Sequence, residues 1–367
     1  MGQDFEEIGI IENSESVVWK KCFTQPGEFE IYTIASDKYV DLLQMGRYVI
    51  RHDDDMVGVI EKINMQIDDD GRDMLLASGR CAKSLFSRRV INRQETFTGT
   101  VWNRMYWMLY NHAVNPSAEN RKIPNVVISD VSDSIKGLSG EVQHTGTNLM
   151  TAVIDLLESN NLGWKVYADY ENKNFVVELI AGTERIIGQE AVEPIIFSDE
   201  YDNLISFEYL RDLTSYANVA IIAGEGEGSA RVWQGVDISG KASGQYAGLD
   251  RYEMFVDARD LQSKYTDDSG KEVTLSSTAY KAQLRVRGLE KLTEAGQTTS
   301  LAGEVDSGTY TYRADYNVGD LVTVTEKHGI TGNARIISVE EIEDGDGYTI
   351  TPEFSDYTIV EFEEVTE

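Results

Sequence analysis

The stretch RYVIRHDDDMVGVIEKINMQIDDDGRDMLLASGR, Arg47 to Arg80, decides how the chain is read. Two runs of three aspartates flank an apolar-rich segment, which suits either a hard-metal site or the turns of a folded sheet. A calcium loop of the EF-hand kind needs oxygen ligands at alternate positions, a glycine at the sixth and a glutamate at the twelfth. Aligned on Gly71, the first position is Gln66 and the twelfth is Ala77, and strand patterns rather than helices flank the loop. Asp and Asn favour turns because their side chains bond nearby backbone groups. Asp53 to Asp55 and Asp68 to Gly71 are therefore expected to be hairpin turns with solvated carboxylates.

Outward from this stretch, FEIYTIA, RYVIRH, MVGVIEKINMQI and DMLLASG read as short strands of an antiparallel meander between Phe29 and Ile91. Between Gly99 and Pro116 the period changes. Val101, Met105, Met108, Leu109 and His112 fall at helical spacing. TGTNLMTAVIDLLESNNLGW predicts a second helix with Thr147 as N-cap and Gly163 as C-cap, followed by a hairpin turning at Asn172 to Asn174. Strands return from Pro194 onward, and SSTAYKAQLRVRGLEKLTEAG predicts a third helix with Tyr280, Leu284, Leu289 and Leu292 near one face. The last third reads as strands, with turns at Gly332 and at Asp344 to Gly347.

With 367 residues, 41% of them hydrophobic, the chain can bury substantial cores. No run approaches the roughly 18 consecutive apolar residues of a membrane-spanning helix, and MGQDFEEIGI reads neither as a signal peptide nor as a myristoylation signal, since Glu6 stands where Ser or Thr is needed. Synthesis in the cytoplasm with no membrane anchor is the expectation. Cys22 and Cys81 are too few for a disulfide framework. The 63 acidic and 33 basic residues give a net charge of −30, and with no Lys/Arg cluster visible, binding to nucleic acid is not expected.

The remaining candidates are weak. EDGDGYTITPE places Asp344, Asp346 and Glu353 at three calcium-loop positions, but Ile342 takes the first and strands flank it, so a hairpin turn is expected. Gly224, Gly226 and Gly228 miss the dinucleotide pattern, Glu225 and Glu227 would repel phosphate, and ARVWQ after them reads as a strand, so a hairpin tip is expected. His52, His112, His144 and His328 lack metal-ligand spacing, and G-x-S-x-G is missing. Trp102, Tyr106, Trp107 and Tyr110 read mostly as core, with a partner interface as the alternative. No catalytic, cofactor-binding or metal residue is assigned.

The order of segments nevertheless resembles the tail-hub proteins of siphoviruses and tail-like particles. The resemblance rests on Gly58 to Glu61 (GVIE), Ser78 to Arg80, the pair Arg88 and Arg89, Gly319 with Asp320, and Ala334 to Ile336, and it spans nearly the whole chain. It implies a mostly antiparallel α+β fold with two β-barrel-like domains. The first would be residues 1–95 and the second residues 195–230 with 301–367, leaving 96–194 as an α+β domain and 231–300 as an inserted segment with one helix. It further implies a homotrimeric ring in the virion that meets a sixfold distal tail or tube ring and a tape-measure or central spike protein, and that lets DNA pass without binding it. It implies no enzymatic activity or cofactor, and no lytic domain is expected. The readings from other classes are a wall-active glycosidase or peptidase and a calcium-binding surface module.

Overall fold

The computed structural model describes residues 1–206, 208–241, 245–266, 272–296, 298–302, 305, 308–325 and 331–359. Alternating apolar residues build β1 (Ser16–Cys22), β2 (Glu28–Ile34), β3 (Tyr48–Ile50), β4 (Val57–Ile67) and β5 (Asp73–Cys81), with the short helix α1 (Asp37–Leu42) between β2 and β3. The expected meander holds only for β3-β4-β5, because α1 carries the chain across and β2 pairs with β5 instead of β3. Phe29, Ile31 and Thr33 point inward on β2 while Glu28, Glu30 and Ile34 face out, the period of two that a half-buried strand requires. Asp68 to Gly71 makes the β4–β5 turn as expected. Asp68 accepts the Asp70 and Arg72 backbone N–H groups at 3.0 and 2.8 Å, and Gly71 takes the left-handed φ of +80°. The sequence reading missed β1 and α1.

A 3₁₀ helix, Ala82–Arg88, leads into β6 (Glu95–Gly99) and α2 (Val101–Leu109), whose last turn widens into a π-helix over Tyr110–Val114. After β7 (Val126–Ile128) and β8 (Gly140–His144), α3 (Leu149–Glu158) is followed by the hairpin of β9 (Gly163–Asp169) and β10 (Asn174–Ile180). Met105, Met108, Val153, Leu157, Trp164 and Phe86 share one core here. The N-cap of α3 is Asn148, not Thr147. Asn148 accepts from the Met150 and Thr151 N–H groups, while the Thr147 carbonyl accepts from Ile91. Nor does Gly163 cap the helix. Ser159 and Asn160 satisfy the last carbonyls, and Gly163 opens β9, where a Cβ would stand 2.3 Å from the Phe23 ring.

The chain continues through β11 (Glu184–Arg185), β12 (Ile196–Ser198) and β13 (Glu208–Asp212). It then forms a separate sheet in the order β15-β14-β16, from β14 (Val219–Ala223), β15 (Trp233–Asp237) and β16 (Glu253–Asp257). The ribbon β17 (Lys264–Thr266) and β18 (Glu272–Thr274) precedes α4 (Ser277–Glu294), which packs on that sheet through Tyr280, Leu284 and Leu292. The last strands are β19 (Thr298–Ala302), β20 (Leu321–Thr325), β21 (Thr331–Asp344) and β22 (Gly347–Ile359). Gly332 is no turn, because it pairs with Val324 inside β21. The turn at Asp344 to Gly347 is observed.

The strand β1 joins the two halves of the protein, pairing with β2 on one side and β21 on the other. A 12-stranded sheet results, running β13-β19-β22-β21-β1-β2-β5-β4-β3 with β11, β12 and β20 beside it. Among the described residues this path has two ends and closes into no barrel. The fold is α+β with mostly antiparallel strands. The strand β14, expected within the second barrel-like unit, instead pairs with β15 and β16.

Candidate functional site

The aspartates of the opening stretch do not lie in solvent as a group. The Asp54 side chain is shut off from solvent, for Arg313 from the other half of the chain reaches it with Nε at 2.9 Å and Lys21 with Nζ at 3.2 Å. The Arg313 guanidinium also contacts Asp53 at 3.1 Å and the buried Glu341, which in turn accepts from Tyr348 and lies 3.2 Å from Arg51. Lys21 and Lys165 pair with Asp55. Burial disfavours the charged forms of Asp53 and Asp55, yet Arg51 and Arg313 hold the first, and Lys21 and Lys165 the second, below the usual carboxylate range. Burial and then Glu341 push the Tyr348 hydroxyl up to about 12. Arg313 itself sits at φ +69°, a left-handed conformation that its network must hold in place. Oxygens that would serve calcium are thus taken by cations of the chain. Asp70 remains exposed, as expected of a turn.

Beside this junction lies a cavity of about 460 Å³ lined by Cys22, Cys81, Lys83, Trp164 and Asp320, among others. Lys83 is buried and donates to the carbonyls of Cys22, Phe23 and Gln25 at 2.7, 3.1 and 3.1 Å, filling all three ammonium donors. Burial lowers its pKa to about 8. Burial likewise raises the Cys22 thiol to about 11, so it is no ready nucleophile or metal ligand. Neither cysteine forms a disulfide.

The other candidates stay apart. Glu353 pairs with Lys20 and Ser338 along the strands, away from the turn where Asp344 accepts the Asp346 N–H. The glycine segment is a hairpin tip whose Gly228–Ala230 forms a 3₁₀ turn before β15. Glu225 there accepts from the Ser263 N–H instead of facing a phosphate. His112 is buried against Glu95 at 2.9 Å, and His144 is buried with its pKa lowered by burial and by Arg287 to about 4. His52 lies exposed in the β3–β4 turn region, and His328 lies outside the described residues. Among the described residues no group of three His, Cys, Asp or Glu is placed to hold a metal.

Two surface features emerge only in three dimensions. The aromatics of α2 and the π-turn after it divide: Trp102 packs against the core, Trp102, Tyr106 and Tyr110 stack half-buried along the helix at 5.0 and 5.4 Å between ring centres, and Trp107 is 45% exposed. The expectation of no cationic cluster also fails, since the fold brings Arg88 and Arg89 beside Arg121 and Lys122, some thirty positions on. No linear motif joins those residues, or Arg313 to Asp54.

The arrangement offers ion-pair joints, exposed aromatics and a cationic rim, which suit assembly better than bond making. The profile of a protein family, Siphovirus ReqiPepy6 Gp37-like protein, matches residues 2–355. No curated protein matches the chain in sequence. Among solved structures, a tail protein from Neisseria meningitidis MC58 is similar at a TM-score of 0.55 and 14% identity, covering 94% of this chain and 92% of that one. The 43 kDa tail protein of prophage MuSo2 from Shewanella oneidensis is similar at 0.53 and 13%, covering 94% and 95%. At such identities the likeness is one of fold.

Proposed function

The chain belongs to a siphovirus tail-protein family, that of the ReqiPepy6 Gp37-like proteins, as a structural component rather than an enzyme, and from that premise we propose that it is the hub of the tail tip or baseplate. Three copies would close a ring joining the sixfold tube, through a distal tail protein, to the tip or central spike, beneath the tape measure. The observation that carries this reading is the fold itself, shared over 94% of the chain with two tail proteins, one of them from a prophage.

The two halves of the long sheet, residues 1–95 and the strands after 301 with β12 and β13, would act as the two barrel-like units that present six similar surfaces in a trimer. Residues 96–194 and 231–300 would be the inserted units. A net charge of −30 suits a passage that offers DNA phosphates no purchase.

Antibodies against the chain, applied to intact tails and viewed by electron microscopy, test the location. Labelling at the tip end is expected. Labelling along the shaft, or at the end joined to the head, would refute the hub role.

A further inference from the structure

In a chain of −30, Arg88, Arg89, Arg121 and Lys122 gather into a cationic island, whereas the other cations of residues 83–122 do not join it: Lys83 and Arg104 are buried and Arg93 pairs with Glu95. Within this island, Arg89 donates to the carbonyls of Arg121, Arg88 and Lys122, and Arg121 donates to the carbonyl of Val90. Neither guanidinium pairs with a carboxylate among the described residues. Arg88 comes only within 4.0 Å of Glu61, which Arg80 already holds in a two-pronged pair at 2.7 and 2.9 Å. Burial first, and then the neighbouring charges of Arg121 and Arg88, lower the pKa of Arg89. Backbone carbonyls thus fix the Arg89 and Arg121 guanidiniums without neutralising them, while Lys122 has only the exposed Glu119 at 3.7 Å as a partner.

Arg88 and Arg89 rim a cleft of about 210 Å³ with Phe5, Tyr48, Leu85 and Phe175 among its lining, and Arg121 and Lys122 adjoin it through their contacts with Arg89. Its rings pack at 4.9 Å (Phe5 to Phe175) and 5.1 Å (Tyr48 to Phe175), giving a firm apolar floor. An aromatic residue ringed by carboxylates would suit such a socket.

The same chain displays one. The turn Ser198–Asp202 carries Tyr201, 58% exposed, between the exposed Asp199, Glu200 and Asp202. None of the three acids has an ion-pair partner among the described residues. The turn is preformed, because the buried Asn203 accepts the Ser198 N–H at 2.7 Å and donates to the Ile196 carbonyl at 2.9 Å. We infer that the Tyr201 turn of one copy docks in the Arg88–Arg89 cleft of the next. The contact is head-to-tail, the type that generates a closed ring when its rotation permits. It also places a cationic island against an acidic neighbour, offsetting the repulsion among chains of −30. This inference rests on the ring reading above and names its interface.

Light scattering of the full chain, with circular dichroism to confirm folding, tests it. Wild type is expected at the trimer mass of about 123 kDa, three times 41.1 kDa, on its own or with the distal tail protein. Arg88→Glu with Lys122→Glu should give monomers, as should Asp199→Lys with Glu200→Lys. Tyr201→Ser should weaken the trimer at least tenfold. The four charge reversals combined in one chain should restore it. A wild-type trimer that survives either pair overturns the interface and leaves the ring standing. Loss in both pairs without rescue by the fourfold variant also overturns the interface. A wild type that never trimerises overturns both readings. Duplex DNA retained by wild type and released by Arg88→Glu with Lys122→Glu would assign the island to phosphate and overturn the inference.

Discussion

Arg313 and Asp54 lie 259 positions apart and meet at 2.9 Å, so that one guanidinium pins the first meander to the C-terminal strands. Arg313 is 22% exposed while Asp54 and Glu341 are at 0% and 1%, which makes the joint close to a buried ion network. Removing one partner of such a network strands the others without compensation. Arg313→Ala is expected to cost roughly 3–5 kcal/mol, read as a lower chemical denaturation midpoint, with little rescue by Lys because a point charge cannot span three carboxylates. An unchanged midpoint would show the joint to be ornamental.

Lys83 gives a second test of internal wiring. Lys83→Met keeps the bulk but removes the ammonium donor from the carbonyls of Cys22, Phe23 and Gln25, of which Phe23 keeps the Trp164 N–H. A buried group left unsatisfied costs roughly 1–3 kcal/mol, so a loss of several is expected in the same denaturation experiment. A loss below about 1 kcal/mol would mean that water enters the adjoining cavity and replaces the ammonium.

On α2, neighbouring residues should behave oppositely. Met108 is fully buried and Trp107 is 45% exposed. Met108→Ala should cost about 2–5 kcal/mol, and Trp107→Ser should stay within about 0.5 kcal/mol. Equal costs would place Trp107 in the core after all.

Glu290 on α4 should make stability depend on pH. Burial, with Asp155 and Glu294 nearby, raises its pKa from 4.5 to about 7, although Arg287 and Lys291 pull the other way. Asp155 across the interface rises to about 6 for the same leading reason, while His144, held neutral by burial, has the opposite effect at acid pH. A carboxyl whose folded pKa is raised binds more protons folded than unfolded between the two values, so it weakens the fold as pH rises through 4.5 to 7. Comparing Glu290→Gln with wild type isolates this group from the others. The variant should melt higher than wild type at pH 8, with the difference shrinking toward pH 5. A difference independent of pH would contradict the assignment.

How much of this was legible follows from distance along the chain. The β4–β5 hairpin could be read because alternation and an Asp-Asp-Gly turn lie within a few residues of each other. α2, α3 and α4 announced themselves by helical spacing, though the α3 cap shifted by one to Asn148, which forms a bridge with Val90 while the Thr147 carbonyl accepts the Ile91 N–H. Asp54 was misread as solvated because its partners, Lys21 and Arg313, come from other segments. The cationic island was invisible for the same reason, since Arg121 and Lys122 join Arg88 and Arg89 only through carbonyl contacts of the folded loop. Of the aromatics read mostly as core, Trp102 does pack there while Trp107 is exposed, because composition cannot show which face of a helix is covered.

The central claim is a threefold ring, and the mass of the native assembly tests it most directly. Multi-angle light scattering across salt concentrations, with and without a distal tail protein, is expected to give about 123 kDa per assembly of this chain, three times 41.1 kDa, the species gaining weight as salt screens the −30 charge of each copy. A dimer of about 82 kDa, twice 41.1 kDa, that persists under all these conditions would contradict the account, because twofold symmetry cannot be laid on a threefold axis.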